Sequence, residues 1–278
     1  MTGRAQSQLL HASVVAMLTI SRRVVGRTLS RCWAPLPTAT RDAKSHGTRL
    51  CIIDSRCVST LSGPVIRRSQ HNPQLVDLTR AGPTFHPEGL VVIPDAISQE
   101  EHDALVEDVR GPLRRMRLEL NHFDSVIRGY KEITFSKWAL PGSQTVIARV
   151  LASDLFAPGT QLHPNQHVLE LAPSGYIAPH IDNVEACGEY VAGISLLSAS
   201  VMRFTYKDEE VRILLEPRSI YCMSHAMRYK FKHSIVCNSS PPEIFGSRSI
   251  VRDRRISVLF RDQPKPVPPE MMSDETDP

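Results

Sequence analysis

The sequence predicts a single domain that is mostly β with supporting helices, built around a double-stranded β-helix (jelly-roll) core. Two observations lead to this fold class. Beyond residue 159, short apolar segments follow one another at short intervals with turn residues between them. Segments with a long helical period are absent from that half of the sequence and occur before it. With 278 residues, 41% of them hydrophobic, the chain is long enough to bury one substantial core.

Residues 1–60 have the composition of a mitochondrial presequence. They hold nine Arg or Lys against two acidic residues, and are rich in Ser and Thr. Their apolar stretch, Leu9–Ile20, precedes a basic cluster and is too short to cross a bilayer. We therefore expect a protein of the mitochondrial matrix without a membrane span. A secretory signal, a membrane anchor or a disordered extension are the alternatives.

Proline-rich segments flank the predicted domain, which spans residues 85–262. Residues 61–84 are interpreted as a linker and residues 263–278 as a disordered tail. The six cysteines form no Cys-x-x-Cys pair, which argues against both a zinc site and a disulfide framework. A reducing compartment fits this pattern.

Two helices are expected near the start of the domain, after an apolar strand at residues 89–94. Ser98 and Glu101 form a capping box that opens the first helix, from Gln99 to about residue 109, where Gly111 and Pro112 should stop it. The second helix follows residues 141–143 and should pack on the sheet. Residues 114–138 between them are mixed, charged and interpreted as helical.

Eight strands are predicted in the second half of the chain, with a turn at residues 172–175 between the first two. They are His167–Leu171, Tyr176–Asp182, Val191–Ser198, Val201–Tyr206, Val211–Leu215, Ser219–Met223, His233–Cys237 and Ile256–Phe260.

A candidate metal site is formed by His180, Asp182 and His233. Residues two apart in a strand point the same way, so His180 and Asp182 share a face, and a distant histidine can complete a set of three ligands. Three ligands on one side of a metal leave the remaining positions open. This arrangement is typical of non-haem Fe(II) oxygenases.

An apolar strand with an arginine near each end follows the second histidine. Arg255 and Arg261 bracket this strand, and Arg254 is interpreted as a solvent-facing neighbour. A guanidinium group binds a carboxylate through two parallel charge-assisted hydrogen bonds. An arginine on a core strand near a metal site can therefore anchor a dicarboxylate.

Together these motifs resemble the AlkB family of Fe(II)/2-oxoglutarate dioxygenases, across roughly residues 85–262. The carriers are His180-x-Asp182, a second histidine 51 residues after Asp182, and the Arg255-x5-Arg261 strand. The resemblance implies an oxidoreductase that binds Fe(II), consumes 2-oxoglutarate and dioxygen, and oxidises a C–H bond of its substrate while releasing succinate.

The resemblance also implies roles for single residues. Arg255 would pair with the distal carboxylate of 2-oxoglutarate, and Tyr221 would contact the same co-substrate. Arg261 would stabilise the carboxylate end near the metal or the Asp182 side of the site. One departure stands out: Leu169 and Leu171 occupy positions where base-repairing members carry Asn-x-Tyr.

Three functions follow as hypotheses. The first is a mitochondrial dioxygenase acting on a protein side chain or small molecule, which the resemblance links to fatty-acid metabolism and regulated necrosis. The second is a demethylase of alkylated bases in mitochondrial RNA, suggested by local positive charge at Arg114, Arg115, Arg117, Arg128 and Lys131. It is less favoured because residues 61–278 carry 24 basic against 27 acidic residues. The third is a non-catalytic binding module.

Overall fold

The computed structural model describes residues 65–120, 126–238 and 242–271. The predicted presequence lies outside these residues. None of the helices in the described part combines the length and the apolar character needed to cross a membrane.

In these ranges the chain forms twelve strands and three α-helices. Strands and helices alternate only in the first part of the domain, before residue 166. The elements are β1 (Val76–Arg80), β2 (Leu90–Ile93), α1 (Gln99–Arg115), β3 (Ile127–Phe135), α2 (Pro141–Leu151), β4 (Gln166–His180), β5 (Val191–Leu196), β6 (Ser200–Tyr206), β7 (Glu209–Leu215), β8 (Ile220–Met223), α3 (His225–Tyr229), β9 (Lys232–Ile235), β10 (Glu243–Phe245), β11 (Arg248–Ile250) and β12 (Arg255–Arg261).

Ten strands form one antiparallel sheet in the order β1-β7-β6-β9-β4-β12-β5-β8-β2, with β3 paired to β4 beside this path. The long strand β4 joins the two halves: its first residues pair with β12, and its last residues pair with β9. The nearly closed antiparallel sheet confirms the predicted jelly-roll class.

Alternate side chains of β12 point to opposite faces of the sheet and so reach two different parts of the core. Ile256, Val258 and Phe260 face outward into an apolar layer that they share with α1 and α2. The alternate residues of β12 face the space between the two halves of the sheet. Any polar side chain at those alternate positions is therefore buried inside the roll.

Both predicted helices are present. Ser98 and Glu101 form the expected capping box at the start of α1, and Val146 and Val150 of α2 pack in the apolar layer over the sheet. The predicted end of α1 was wrong, because the helix continues through residues 111–112 to Arg115. Its last turn carries Leu113, which is buried in the same apolar layer, so packing outweighs the local effect of Pro112.

The structure corrects two predictions near β4. Residues 127–135, interpreted as part of a helical segment, form β3. The predicted turn at 172–175 is an irregular part of one continuous strand. Gly129 and Gly175 let β3 and β4 approach closely here: a β-carbon on Gly175 would lie 2.5 Å from the Gly129 carbonyl oxygen, and one on Gly129 would lie 2.9 Å from the Gly175 Cα. The buried guanidinium of Arg252 also donates to carbonyls of this segment.

The linker prediction is wrong for residues 65–84. Ile66 and Leu75 are buried, β1 pairs with β7, and the backbone N–H of Val92 donates to Nδ1 of His71 at 2.9 Å. Apolar side chains between the prolines supply the burial that holds this segment on the sheet. In the predicted disordered tail, residues 269–271 form a 3₁₀ turn with Met271 against the core, and residues 272–278 lie outside the described part.

Candidate metal and co-substrate site

Three potential metal ligands converge where β4 ends beside β9. His180 and His233 are directly paired across these strands, and their ring centroids are 4.3 Å apart. Asp182 follows two residues after the end of β4, and its Oδ1 lies 3.4 Å from His180 Nε2 and 3.9 Å from His233 Nε2. One ligand atom from each residue falls within 4.8 Å of the others. This spacing allows one ion to contact all three.

The surroundings of both histidines favour metal binding. His180 Nδ1 lies 2.9 Å from the Ala178 carbonyl oxygen, which can only accept, so Nδ1 donates this hydrogen bond and Nε2 is the atom left to bind a metal. Burial lowers the pKa of His233 to about 3, so this ring is neutral near pH 7. A neutral imidazole is the form that binds a metal.

Asp182 is held as a carboxylate. Burial pushes its pKa upward, but the charge of Arg261 and the contacts with His180 and His233 outweigh burial and bring the pKa well below the usual range. Arg261 Nη2 lies 3.4 Å from Asp182 Oδ2, and Arg261 Nη1 donates to His167 Nδ1 at 3.0 Å. Asp182 therefore supplies a negative charge beside the two imidazole rings.

Arg255 is a buried cation that lacks an acidic partner. Its side chain is 2% exposed, and within the described ranges its Nε and Nη2 atoms have no hydrogen-bond partner. Its Nη1 is 3.4 Å from Ser257 Oγ. Burial lowers the pKa of this guanidinium to about 10, and a buried charge without a partner is costly. An anionic ligand bound in the cavity would provide the missing acceptors.

Tyr221 lines the same cavity from β8. Burial raises the pKa of its hydroxyl to about 12, so the group stays protonated and can donate a hydrogen bond. The cavity is lined by apolar and polar side chains from seven strands and from the segment that follows β4: Ile127, His167, Leu169, Ile177, His180, Asp182, Val191, Met202, Tyr221, His233, Arg255, Ser257, Leu259 and Arg261.

These donors fit Fe(II) and 2-oxoglutarate. Two imidazoles and one carboxylate form the ligand set of non-haem iron. The guanidinium of Arg255, with Nε and Nη2 lacking partners among the described residues, lies in the same cavity and can receive the second carboxylate of a chelating diacid.

The 2OG-Fe(II) oxygenase superfamily model matches residues 160–261. The chain is 41% identical over 182 residues to the alpha-ketoglutarate-dependent dioxygenase alkB homolog 7, mitochondrial, of Bos taurus. The alignment covers 64% of this chain and 80% of that relative. The protein of that name from Mus musculus gives the same identity and coverage. The chain belongs to the AlkB family of Fe(II)/2-oxoglutarate-dependent dioxygenases.

This AlkB-family chain is accordingly an oxidoreductase that uses Fe(II), 2-oxoglutarate and dioxygen. Among solved structures, that of OsALKBH1 aligns with a TM-score of 0.45 and 13% identity, over 64% of this chain and 98% of that one.

The six site residues predicted from the sequence of this AlkB-family chain all line one cavity. His180, Asp182 and His233 form one end, while the other three lie on β8 and β12. Arg261 lies beside Asp182, with Nη2 3.4 Å from Asp182 Oδ2. Leu169 also lines the cavity, so an apolar side chain stands where base-repairing AlkB proteins carry a polar one.

Sequence reasoning missed three site residues. His167 lies two positions before Leu169 on the inward face of β4, and Ser257 lies two after Arg255 on β12, so the strand alternation could have revealed both. His167 connects Arg261 to Glu132 through its Nε2, 3.1 Å from Glu132 Oε2. Arg228, on the short helix α3, donates from Nη1 to the Asp182 carbonyl oxygen at 2.9 Å and has no comparable signal in the sequence.

Proposed function

We propose that this protein is a mitochondrial Fe(II)/2-oxoglutarate dioxygenase that oxidises a protein side chain or a small metabolite. The observation that carries the proposal is the buried guanidinium of Arg255 in the cavity of the His180, Asp182 and His233 cluster, where no described residue accepts from its Nε or Nη2. Location in the mitochondrial matrix is supported by the basic composition of residues 1–60 and by the mitochondrial relatives. Effects on fatty-acid metabolism and regulated necrosis would lie downstream.

In this proposal His180, Asp182 and His233 hold the iron. Arg255 and Tyr221 hold the distal carboxylate of 2-oxoglutarate, the former by charge and the latter through its hydroxyl. When bound, iron with 2-oxoglutarate and dioxygen supplies the oxidation of a substrate C–H bond, coupled to decarboxylation of 2-oxoglutarate to succinate.

Other cavity residues maintain the charge of Asp182 and limit the access of water. The positive charge of Arg261 keeps Asp182 ionised, and His167 orients Arg261 by accepting a hydrogen bond from its Nη1. Leu169 and Leu259 line the same cavity with apolar surface. Water exclusion strengthens the pairing of the guanidinium with a carboxylate.

Demethylation of alkylated bases is the second candidate. Four cations, Arg110, Arg114, Lys131 and Arg254, line a pocket whose one acidic residue is Glu170, and such a cluster could contact phosphates. Glu170 alternates with cavity residues along β4, so this pocket lies on the opposite face of the strand. Cations there cannot guide a base to the metal, which supports the first candidate.

The test is a turnover assay of the purified protein with Fe(II) and 2-oxoglutarate, offering peptide, metabolite and methylated RNA libraries side by side. We expect CO2 release coupled to hydroxylation of a peptide or metabolite. Arg255→Met should abolish it, whereas Arg254→Met, on the outer face of the same strand, should not. Absence of CO2 release with every library would refute the proposal, and salt-dependent binding and demethylation of RNA would favour the second candidate.

The non-catalytic hypothesis is tested in cells. A His180→Ala variant should lose the cellular role of the protein if that role requires the iron. If the variant keeps the role at normal abundance, the protein acts as a binding module.

A further inference from the structure

Arg228 is fully buried and its guanidinium group binds backbone carbonyls. Nη1 donates to the Asp182 carbonyl oxygen at 2.9 Å, Nη2 to that of Cys187 at 3.1 Å, and Nε to that of Gly188 at 3.0 Å. Nη2 also lies 3.1 Å from Cys187 Sγ. Within the described ranges no carboxylate pairs with this cation. Such burial costs several kcal/mol in desolvation, so the carbonyl contacts must offset a large penalty.

These carbonyls lie at the two ends of one exposed loop, residues 183–186. The far end is fixed independently by Asp262. Its Oδ1 accepts from the Tyr190 N–H at 2.7 Å, its Oδ2 from the Glu189 N–H at 3.1 Å, and its carbonyl oxygen from the Gly188 N–H at 3.0 Å. Arg228 then connects this fixed end to the backbone of Asp182.

Arg228 also belongs to the segment that leads to the second histidine. It lies in the last turn of α3, and β9 begins four residues later with Lys232 and His233. The side chain of Arg228 therefore joins the chain that carries His233 to the loop that carries Asp182. The two residues themselves are 51 positions apart in the sequence.

We infer that Arg228 is a positioning residue for the metal centre, which fixes Asp182 relative to His233 before a metal binds. The inference rests on the proposed function, in which these residues hold Fe(II). Five guanidinium N–H groups in a rigid fork can reach both ends of the loop at once, whereas a lysine ammonium cannot. The role therefore requires arginine and not only a positive charge.

The test compares Mn(II) binding by the full-length wild type and the variants Arg228→Lys and Arg228→Met, measured by calorimetry below their unfolding temperatures. We expect the Kd for Mn(II) to rise about 10- to 100-fold in both variants, as for partners that orient metal ligands elsewhere. Arg149→Lys is the matched control, because Arg149 is also buried but pairs with Glu101 between α1 and α2. It should lower the melting temperature and leave the Kd for Mn(II) unchanged.

A wild-type Kd in Arg228→Lys would overturn the inference. If the wild type itself bound no Mn(II), the proposed function would fail together with it. Binding by the wild type and loss only in the Arg228 variants separates the two claims.

Amide hydrogen exchange of the wild type covers the case in which neither variant folds. The Cys187 N–H donates to the Asn183 carbonyl oxygen at 3.2 Å, within the loop that Arg228 connects. We expect this amide to be equally protected with and without Mn(II), because Arg228 orders the loop in the metal-free protein. Protection that develops only after Mn(II) is added would show that the metal orders the loop, and would overturn the inference.

Discussion

The ring of Tyr221 fills the space that a β-carbon on Gly193 would occupy. Such a β-carbon would lie 2.5 Å from Cε1 and 3.0 Å from Cζ of Tyr221. The two residues face each other across β5 and β8, and Leu259 Cδ2 would be 3.0 Å from the same point. The absence of a side chain at position 193 thus determines where the phenol of Tyr221 lies in the cavity.

Gly193→Ala should weaken the binding of 2-oxoglutarate. The added methyl group must displace the Tyr221 ring, because two non-bonded carbon atoms cannot lie 2.5 Å apart. We expect the KM for 2-oxoglutarate to rise about tenfold, which corresponds to about 1.4 kcal/mol, with a smaller change in kcat. Steady-state kinetics of succinate formation measures both.

Gly111→Ala is the control for this prediction. A β-carbon there would meet just the end of the Arg115 side chain, at 3.7 Å, and alanine favours the helix interior. Its KM for 2-oxoglutarate should equal that of the wild type. If Gly193→Ala also leaves this KM unchanged, Tyr221 does not hold the co-substrate.

Arg255→Met should stabilise the protein in the absence of ligand. An unpaired buried polar group costs about 1–3 kcal/mol, and the variant replaces it with apolar surface of similar volume. We expect the free energy of unfolding to rise by that amount while stabilisation by 2-oxoglutarate disappears. Urea unfolding with and without 2-oxoglutarate checks both parts, and a destabilised variant would mean that Arg255 has a structural partner.

His167→Leu should weaken metal binding through Arg261. Without the imidazole, Arg261 loses the acceptor that orients it toward Asp182. A hydrogen bond to a charged group contributes about 1.5–3 kcal/mol, so a roughly tenfold rise in the Kd for Mn(II) is expected. Calorimetric titration gives this constant.

His167→Asn separates the two contacts of the ring. Its amide oxygen can replace Nδ1 as the acceptor for Arg261, while the contact with Glu132 is lost. We expect near wild-type Mn(II) affinity. Equal losses in both variants would show that Glu132, rather than the acceptor, is what matters.

His71 should make the attachment of residues 65–75 sensitive to pH. Burial and the nearby charge of Arg68 lower its pKa below 6.5, and a protonated ring cannot accept the Val92 N–H. The unfolded state binds the proton first, so this contribution to stability is complete above pH 6.5 and is lost as pH falls toward the lower folded pKa. Thermal unfolding between pH 5 and 8 measures the loss.

His71→Asn can keep the acceptor without titrating in this range. Its melting temperature should vary less with pH between 5 and 7 than that of the wild type. Identical pH profiles for the two proteins would exclude His71 as the source of the dependence.

The chemistry of the site could be predicted from local patterns. His180 ends β4 and Asp182 comes two residues later, so the expectation of a shared face followed from strand geometry although the strand stops before Asp182. Arg255 and Arg261 flank an apolar strand, and that pattern indicates burial of at least one charge. The fold class followed from the same period of two and from the short spacing of the strands.

Tertiary pairing decided the rest. The turn predicted at residues 172–175 became part of β4 because Gly129 brings a neighbouring strand against it, and residues 65–84 became part of the domain because Leu75 is buried in the core. Contacts such as Arg228 with Asp182, 46 residues away, depend on which strands are neighbours.

The sequence by itself determined which groups are available for metal and diacid binding, since residue type and the alternation along a strand are local properties. Only the tertiary structure decided how those groups are held: the space for Tyr221, the support of Arg261 by His167, and the loop fixed by Arg228. Hydrogen bonds and packing between distant segments require a defined strand order, and the hydrophobic pattern of a single strand does not encode that order.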